Sequence, residues 1–291
     1  MELSSPADEG EPGNNVSGMR NLLFLFFLSA VVFSCKSGQK EAPPSPPVDS
    51  AAIKQRQQQV ADSLAKAQAP KKKIYLTFDD GPNKGTLKVL QAVQQEQVPV
   101  SFFLVGKHVF DSPAQHAAWL QLKADSSNEL CNHSYTHALN RYSKFYSDAA
   151  GAVADFEKSR DQLQFHNSVA RMPGRNAWRI DTIDITDIRE SRAAIDSVHK
   201  AGFAIMGWDI EWNFDHQTLA PDPDRELLLR RIRNLLDAGT TKTPGHLVLL
   251  AHDQAFQKEE HIAQLHSFIQ ELKINTDYEF VVASKYPGVE K

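Results

Sequence analysis

Four short stretches carry side chains whose types and spacing could do chemistry. Residues 77–82 read TFDDGP, residues 132–137 NHSYTH, residues 171–174 RMPG and residues 249–253 LLAHD. Asp79 and Asp80 set two like charges side by side just before a Gly-Pro turn. Neighbouring residues of a strand face opposite ways, so the two need not do the same work, and one can hold a metal while the other handles a proton. Asp, Gly and Pro are also ordinary turn formers, and the hexapeptide alone fits a turn equally well. His133 and His137 lie four apart, a spacing that can bring two imidazoles onto one face of a helical turn. Two neutral imidazoles and one carboxylate leave positions for water and substrate, as a catalytic zinc site requires. The same donors suit non-haem iron, so ligand type alone admits oxygen chemistry; no cosubstrate site accompanies it here.

These residues need a scaffold that gathers strand ends. KIYLTF (residues 73–78) reads as a strand, and residues 86–97 read as a helix with Leu87, Leu90 and Val93 on one stripe. VPVSFFLVG (98–106) is a nearly continuous apolar run, the signature of a strand buried on both faces. Helices are expected over 148–165, 190–201, 224–239 and 261–272. Strands are expected within NSVARMPG, GFAIMGWDI, GHLVLLAHD and YEFVVAS. This alternation predicts a parallel sheet with crossover helices, either a barrel or a doubly wound sheet. In both, chemistry collects at the C-terminal ends of the strands, where FDD, RMPG, WDIEW and LLAHD fall.

The 291 residues are 41% hydrophobic and 23% charged, which leaves room for one large domain. A formal net charge of −4 gives no support to nucleic-acid binding. Residues 1–35 read as a signal segment with its true start at Met19: MRNLLFLFFLSAVVFSC has a basic start, an apolar core too short to span a bilayer comfortably, and a small residue before Cys35. It resembles a bacterial lipoprotein signal, which implies lipidation of Cys35 and an exported protein anchored to the membrane of the cell envelope. A plain secretory signal is the alternative. Residues 36–70 are Pro/Ser-rich, then Gln/Lys-rich, and are expected to form a tether, in part a frayed helix. Residues 71–291 are expected to be the catalytic domain. Cys131 reads as a small buried hydrophobe. The histidines outside the motifs, among them His108, His216, His246 and His261, read as surface or loop residues.

TFDDGP, NHSYTH, RMPG and LLAHD in this order, with VSFFLVG between the first two, resemble the polysaccharide deacetylases of the NodB-homology type, carbohydrate esterase family four. The resemblance runs from Lys71 to about Tyr286. It implies a distorted, incomplete (β/α) barrel and metal-dependent removal of acetyl groups from sugars, above all N-acetylglucosamine residues of an acetylated polysaccharide. Carried over residue by residue, Asp80, His133 and His137 match the metal ligands, for Zn2+ or for Co2+ or Ni2+ in its place. Asp79 matches the catalytic base, Arg171 its charged partner, and His252 the acid that protonates the departing amine. Leu250 matches a wall of the acetyl pocket, and a backbone N–H near Gly174 a donor to the oxyanion. Read singly, Arg171 can be a surface ion pair, His252 a strand cap, and the two histidines a solvated pair.

Two departures stand out. After the proline of the third motif an aromatic residue and then glycine are usual; here Gly174 and Arg175 follow. A missing ring would open one wall of the groove, and Arg175 can meet an anionic substrate or be a loop arginine. The fourth motif usually pairs an acid with tryptophan. In WDIEWNF, Glu211 and Trp212 fill those places, with Trp212 lining the sugar groove or packed in the core. Alternatively Asp209 or Glu211 is the acid and the tryptophan is absent. Two rival functions remain: an O-acetyl esterase on a polysaccharide such as xylan, and a catalytically silent glycan-binding protein.

Overall fold

The computed structural model describes residues 50–68 and 70–289; the signal segment and Cys35 lie outside the described residues. The chain divides into two compact units, Met1–Val60 and Ala61–Lys291. Helix α1, Ser50–Gln68, occupies the second half of the expected tether. From there the order is β1 (Lys72–Gly81), α2 (Thr86–Glu96), β2 (Ser101–Leu104), α3 (Gly106–Phe110), α4 (Pro113–Ala124) and β3 (Glu129–Asn132). Next come α5 (Tyr142–Ser147), α6 (Ala149–Leu163), β4 (Val169–Ala170), the pair β5 (Ala177–Ile180) and β6 (Ile183–Thr186), α7 (Arg192–Lys200) and β7 (Ala204–Ile205). The chain closes with β8 (Ile210–Phe214), β9 (Pro221–Asp222), α8 (Arg225–Ala238), β10 (His246–His252), α9 (Glu259–Ile274) and β11 (Tyr278–Phe280).

The strands line up as β6-β5-β7-β4-β3-β2-β1-β10-β8-β9, with β11 beside the start of β1. From β7 to β8 every pairing is parallel; antiparallel β5, β6 and β9 sit at the two ends. No ladder joins the ends among the described residues, so this is a distorted and incomplete β/α barrel.

Strand alternation sorts the core into two layers. Ile74, Leu76 and Phe78 of β1, with Phe102 and Leu104 of β2 and Leu247 and Leu249 of β10, pack under the helices. Tyr75, Phe103, Cys131, Val169 and Val248 point the other way, into the barrel, and meet Trp178 and Tyr286 there. Thr77 and Asp79 continue the inward row of β1, and Leu250 and His252 that of β10. Asp79 stands opposite His252 in the register of the two strands.

GFAIMGWDI is not one strand. It breaks into β7 and β8, because the Arg171 guanidinium takes the carbonyls of Met206 and Gly207 (3.1 and 3.0 Å) that a ladder would need. YEFVVAS likewise keeps pairing only through Phe280; the Ala283 N–H then turns to Ser101 Oγ. Helix α4 escaped the pattern reading although Ser112 caps it and Pro113 opens it, both recognisable start signals.

Candidate active site

At the end of β1 the two-residue alternation fails. Asp80 has φ of 70°, and the register against β2 shifts between Asp79 and Gly81. Such a bulge re-aims a side chain. His133 Nε2 consequently lies 3.6 Å from Asp79 Oδ2 and 3.4 Å from Asp80 Oδ1. The expectation that the carboxylates part company is corrected here: both reach one imidazole, and their roles differ through their other partners. The strained turn is held from several sides. His108 Nδ1 contacts the Asp80 carbonyl at 2.9 Å, and Gln115 donates to the Pro82 carbonyl at 3.0 Å. Asn83 and Thr86 both donate to the buried carboxylate of Asp253. Gly85 is required for this closure, since a Cβ there would sit 1.8 Å from the Asp253 carbonyl oxygen.

His133 and His137 do not share a helical turn. His133 follows the end of β3, and Ser134 and His137 both have positive φ (65° and 51°), so the pair converges through a tight strand-end loop. Asn132 fixes that loop: its Oδ1 accepts the Ser134 N–H and its Nδ2 donates to the Phe156 carbonyl, each at 2.9 Å. Asp155 accepts the N–H groups of Tyr135 and Thr136. His133 Nδ1 lies 2.9 Å from the Arg171 carbonyl, which only a protonated Nδ1 can serve. Nε2 is thereby the ring atom turned toward the carboxylates. His137 Nε2 reaches Asp80 Oδ1 at 3.2 Å.

One donor atom each from Asp80, His133 and His137 falls within 4.8 Å of the others, and Asp80 Oδ1 is buried without a hydrogen-bond donor. Two imidazole nitrogens and a carboxylate oxygen left in this state fit a divalent metal. Burial works to raise Asp80, but the adjacent His133 imidazole and the charges of His137, His133 and His252 outweigh it and hold the carboxyl well below its usual range. Burial and the neighbouring His133 depress His137 to about 4, so its imidazole is neutral. For His133, burial is overcome by Asp79 and Asp80, and its pKa rises.

Arg171 is fully buried rather than a surface residue. Its Nη1 donates to Asp79 Oδ1 (2.7 Å) and Thr77 Oγ1 (2.8 Å), and its guanidinium lies 4.1 Å from the centre of the Phe103 ring. His252, at the tip of β10, has Nε2 3.9 Å from Asp80 Oδ2 and packs edge-on against Phe214. Its Nδ1 is buried with no partner.

Asp79, Asp80, His133, His137 and His252 line a cavity of about 340 Å³ that also includes Gly174, Glu211 and Leu250; Arg171 stands behind Asp79 and does not line it. A larger cavity, about 610 Å³ beside Leu130, Phe165 and Phe280, contains none of them. Trp212 requires correction. Its register partner is Ala251, on the outward row of β10, and the alternation that turns Glu211 inward turns Trp212 under the helices. There it packs on Phe256 and Phe268 and donates to the Pro223 carbonyl, so it is a core aromatic and no part of the groove. Asp209 is occupied by the N–H groups of Lys242 and Val248, which leaves Glu211 as the acid facing the cavity, its pKa raised by burial against the pull of His252. Arg175 donates to Ser191 Oγ and to the Gly174 carbonyl, and does not line the cavity.

Tyr142, Trp208 and His216 line the cavity and were missed. Trp208 lies on the loop where GFAIMGWDI breaks. His216 follows β8 directly, so its place at a strand end was a usable signal. Tyr142 opens α5, and nothing in its local pattern marks it. Two other histidines read as surface residues are not: His261 is buried with Nδ1 on the Ala255 carbonyl, and His246 pairs with the Tyr75 hydroxyl.

Residues 66–172 match the family model for polysaccharide deacetylase. The chain is 24% identical over 200 residues to a chitin disaccharide deacetylase of Vibrio alginolyticus, covering 48% of this chain and 47% of the relative. It is 26% identical over 186 residues to a peptidoglycan-N-acetylglucosamine deacetylase of Bacillus cereus, covering 63% and 60%. It thus spans less than two thirds of the length of these curated relatives. The catalytic domain of a peptidoglycan N-acetylglucosamine deacetylase from Eubacterium rectale superimposes with a TM-score of 0.53 at 23% identity, over 74% of this chain and 90% of that one, a likeness of fold. Residues 66–172 are thus similar to polysaccharide deacetylases in sequence, and the fold is like that of a solved deacetylase domain.

Proposed function

We propose that this chain is a metal-dependent hydrolase that removes N-acetyl groups from N-acetylglucosamine-type residues of a cell-envelope or extracellular polysaccharide. The observation that carries the reading is the meeting, in one cavity, of the Asp80–His133–His137 donor set, the Arg171-paired Asp79 and the inward-facing His252. Asp80, His133 and His137 would hold Zn2+ or a similar divalent ion. When bound, that ion supplies Lewis acidity that polarises the acetyl carbonyl and makes water more acidic.

The remaining work falls to side chains. Asp79 accepts the proton of the attacking water, and the Arg171 guanidinium, hydrogen-bonded to it at 2.7 Å, keeps that carboxylate aimed. Leu250 offers an apolar surface for the acetyl methyl. An N–H near Gly174 donates to the carbonyl oxygen as it gains charge. His252 gives a proton to the amide nitrogen as the C–N bond breaks, leaving acetate and a free amine. The amide nitrogen is a poor leaving group without that proton, so an imidazole on the strand beside the base, lining the same cavity, is the feature that favours amide hydrolysis.

The test is acetate release by the purified protein from chitin oligomers, peptidoglycan and acetyl-xylan, with Zn2+ added and then removed. Release from the first two, lost on chelation, is expected. Release from acetyl-xylan alone would replace this reading with the esterase, and no release from any substrate would leave a silent glycan-binding protein. We also propose that the chain is an exported lipoprotein held to the membrane by a lipid on Cys35. Cys35→Ser is expected to abolish labelling by a fatty-acid analogue, and unchanged labelling would overturn the anchor.

A further inference from the structure

The replacement of a side chain by Gly174 was expected to open one wall of the cavity. The wall is closed from another part of the chain. Gly174 has φ of 59°, and the place where its Cβ would stand is 3.1 Å from Cε1 and 3.3 Å from Cζ of Tyr142. The tyrosine ring therefore lies directly on bare backbone, in space that a side chain at position 174 would claim. Its neighbour on the cavity side is His137, in an edge-to-face contact at 5.9 Å and 85°. Behind it, the Arg175 guanidinium sits 5.7 Å from the Tyr142 ring and 4.9 Å from that of Tyr146, tied at 2.9 Å to Ser191 Oγ and at 2.7 Å to the Gly174 carbonyl. Backbone, imidazole and guanidinium hold the ring in place, and the half-buried Tyr142 lines the cavity beside the candidate ligands.

We infer that Tyr142 is a sugar-contacting residue, its ring forming the wall against which an acetylated aminosugar stacks; the inference rests on the glycan reading above. Sugar rings present faces of weakly positive C–H groups, which suit the negative face of an aromatic ring. A ring already fixed by its surroundings loses little freedom when it is used this way. The same arrangement turns Arg175 inward, where it backs the wall and does not receive substrate.

The test measures binding of the N-acetylglucosamine tetramer to the full chain stripped of metal, so that no turnover intervenes, with acetate release measured on the reloaded protein. Tyr142→Ala is expected to weaken binding by about three- to tenfold. Tyr142→Phe is expected to stay within about twofold of the parent, with both variants melting close to it. Gly174→Ala is expected to weaken binding in the parent by displacing the ring, and to add nothing in the Tyr142→Ala background. Parent-like binding by Tyr142→Ala overturns the inference, as does equal loss by Tyr142→Phe, or a parent that does not bind the tetramer. A parent that binds through the ring yet releases no acetate keeps this inference and sinks the deacetylase. Acetate release with binding indifferent to Tyr142 does the reverse.

Discussion

Arg171 and Asp79 meet at 2.7 Å with both side chains shut away from solvent. A pair this deeply buried is strongly destabilised when one member is removed, because the other charge is left without a partner. Arg171→Met is expected to cost about 3–5 kcal/mol in urea unfolding. Arg171→Lys is expected to recover only part of that, since an ammonium cannot serve Asp79, Thr77, Met206 and Gly207 from one planar fork. A loss below about 1 kcal/mol for Arg171→Met would mean that the pair is far more solvated than it stands here.

Metal content separates Asp80 from Asp79. His133→Ala and Asp80→Asn are expected to lose the ion in elemental analysis, while Asp79→Asn keeps it. Proton competition should follow the histidines. His133, with its raised pKa, takes up a proton as pH falls, whereas His137 remains neutral down to about 4. Metal affinity is therefore expected to fall about tenfold per pH unit on the acid side of His133, with one proton taken up per ion released, not two. A slope of two at pH values above about 4 would contradict this order of titration.

Proton transfer should be separable from metal binding. Asp79→Asn and His252→Ala are each expected to lower amide hydrolysis by roughly 10²–10⁴-fold with metal retained. An activated acetyl ester, whose leaving group needs little protonation, should rescue His252→Ala and leave Asp79→Asn impaired. Equal losses by His252→Ala on both substrates would remove it as the acid.

Trp212 offers a contrast between core and groove. Trp212→Ala is expected to destabilise the fold by about 3–5 kcal/mol, and Trp212→Phe by less. At a temperature where the variants stay folded, KM for the glycan should be unchanged. A shifted KM with full stability would return Trp212 to the groove.

Asp253 should make stability depend on pH. Burial raises its pKa from 3.8 to about 7, against the hydrogen bonds of Thr86 and Asn83. The folded state thus holds a proton that the unfolded chain gives up near pH 4, so this contribution is full below that point and is lost as pH rises to about 7. Asp253→Asn, which keeps the shape without the charge, is expected to gain stability relative to the parent over this window, on the order of a few kcal/mol. Parallel stability curves for the two proteins would show that Asp253 does not titrate there.

The alternation of apolar and helical patterns was enough to anticipate a parallel sheet with helices, because each strand end carried its own polar punctuation. What period-two reasoning could not supply was the bulge at Asp80, where one residue with positive φ turns its carboxylate onto the same imidazole as Asp79. The histidine spacing was legible as a pair, but not the strand-end loop that joins them, since that loop depends on Asn132 and Asp155 reaching in from elsewhere. Trp212 was misplaced for a different reason: its face is set by the register of β8 against β10, a relation between segments that are distant in sequence. Tyr142 was invisible because its value lies in an absence at Gly174.

Asp79 and His252 face each other across the ladder of β1 and β10. Adjacent strands keep a nearly constant separation of about 4.8 Å, so the spacing of these two residues, the proposed proton acceptor and donor, is a property of the sheet and not of any loop. Tyr142, at the start of α5, and His216, in the segment after β8, lie on the rim of the cavity outside that ladder. Substitutions at these two rim positions are thus expected to leave the spacing of the proposed proton-handling pair unchanged. An engineer seeking altered substrate range should vary those two positions and leave the two strands untouched.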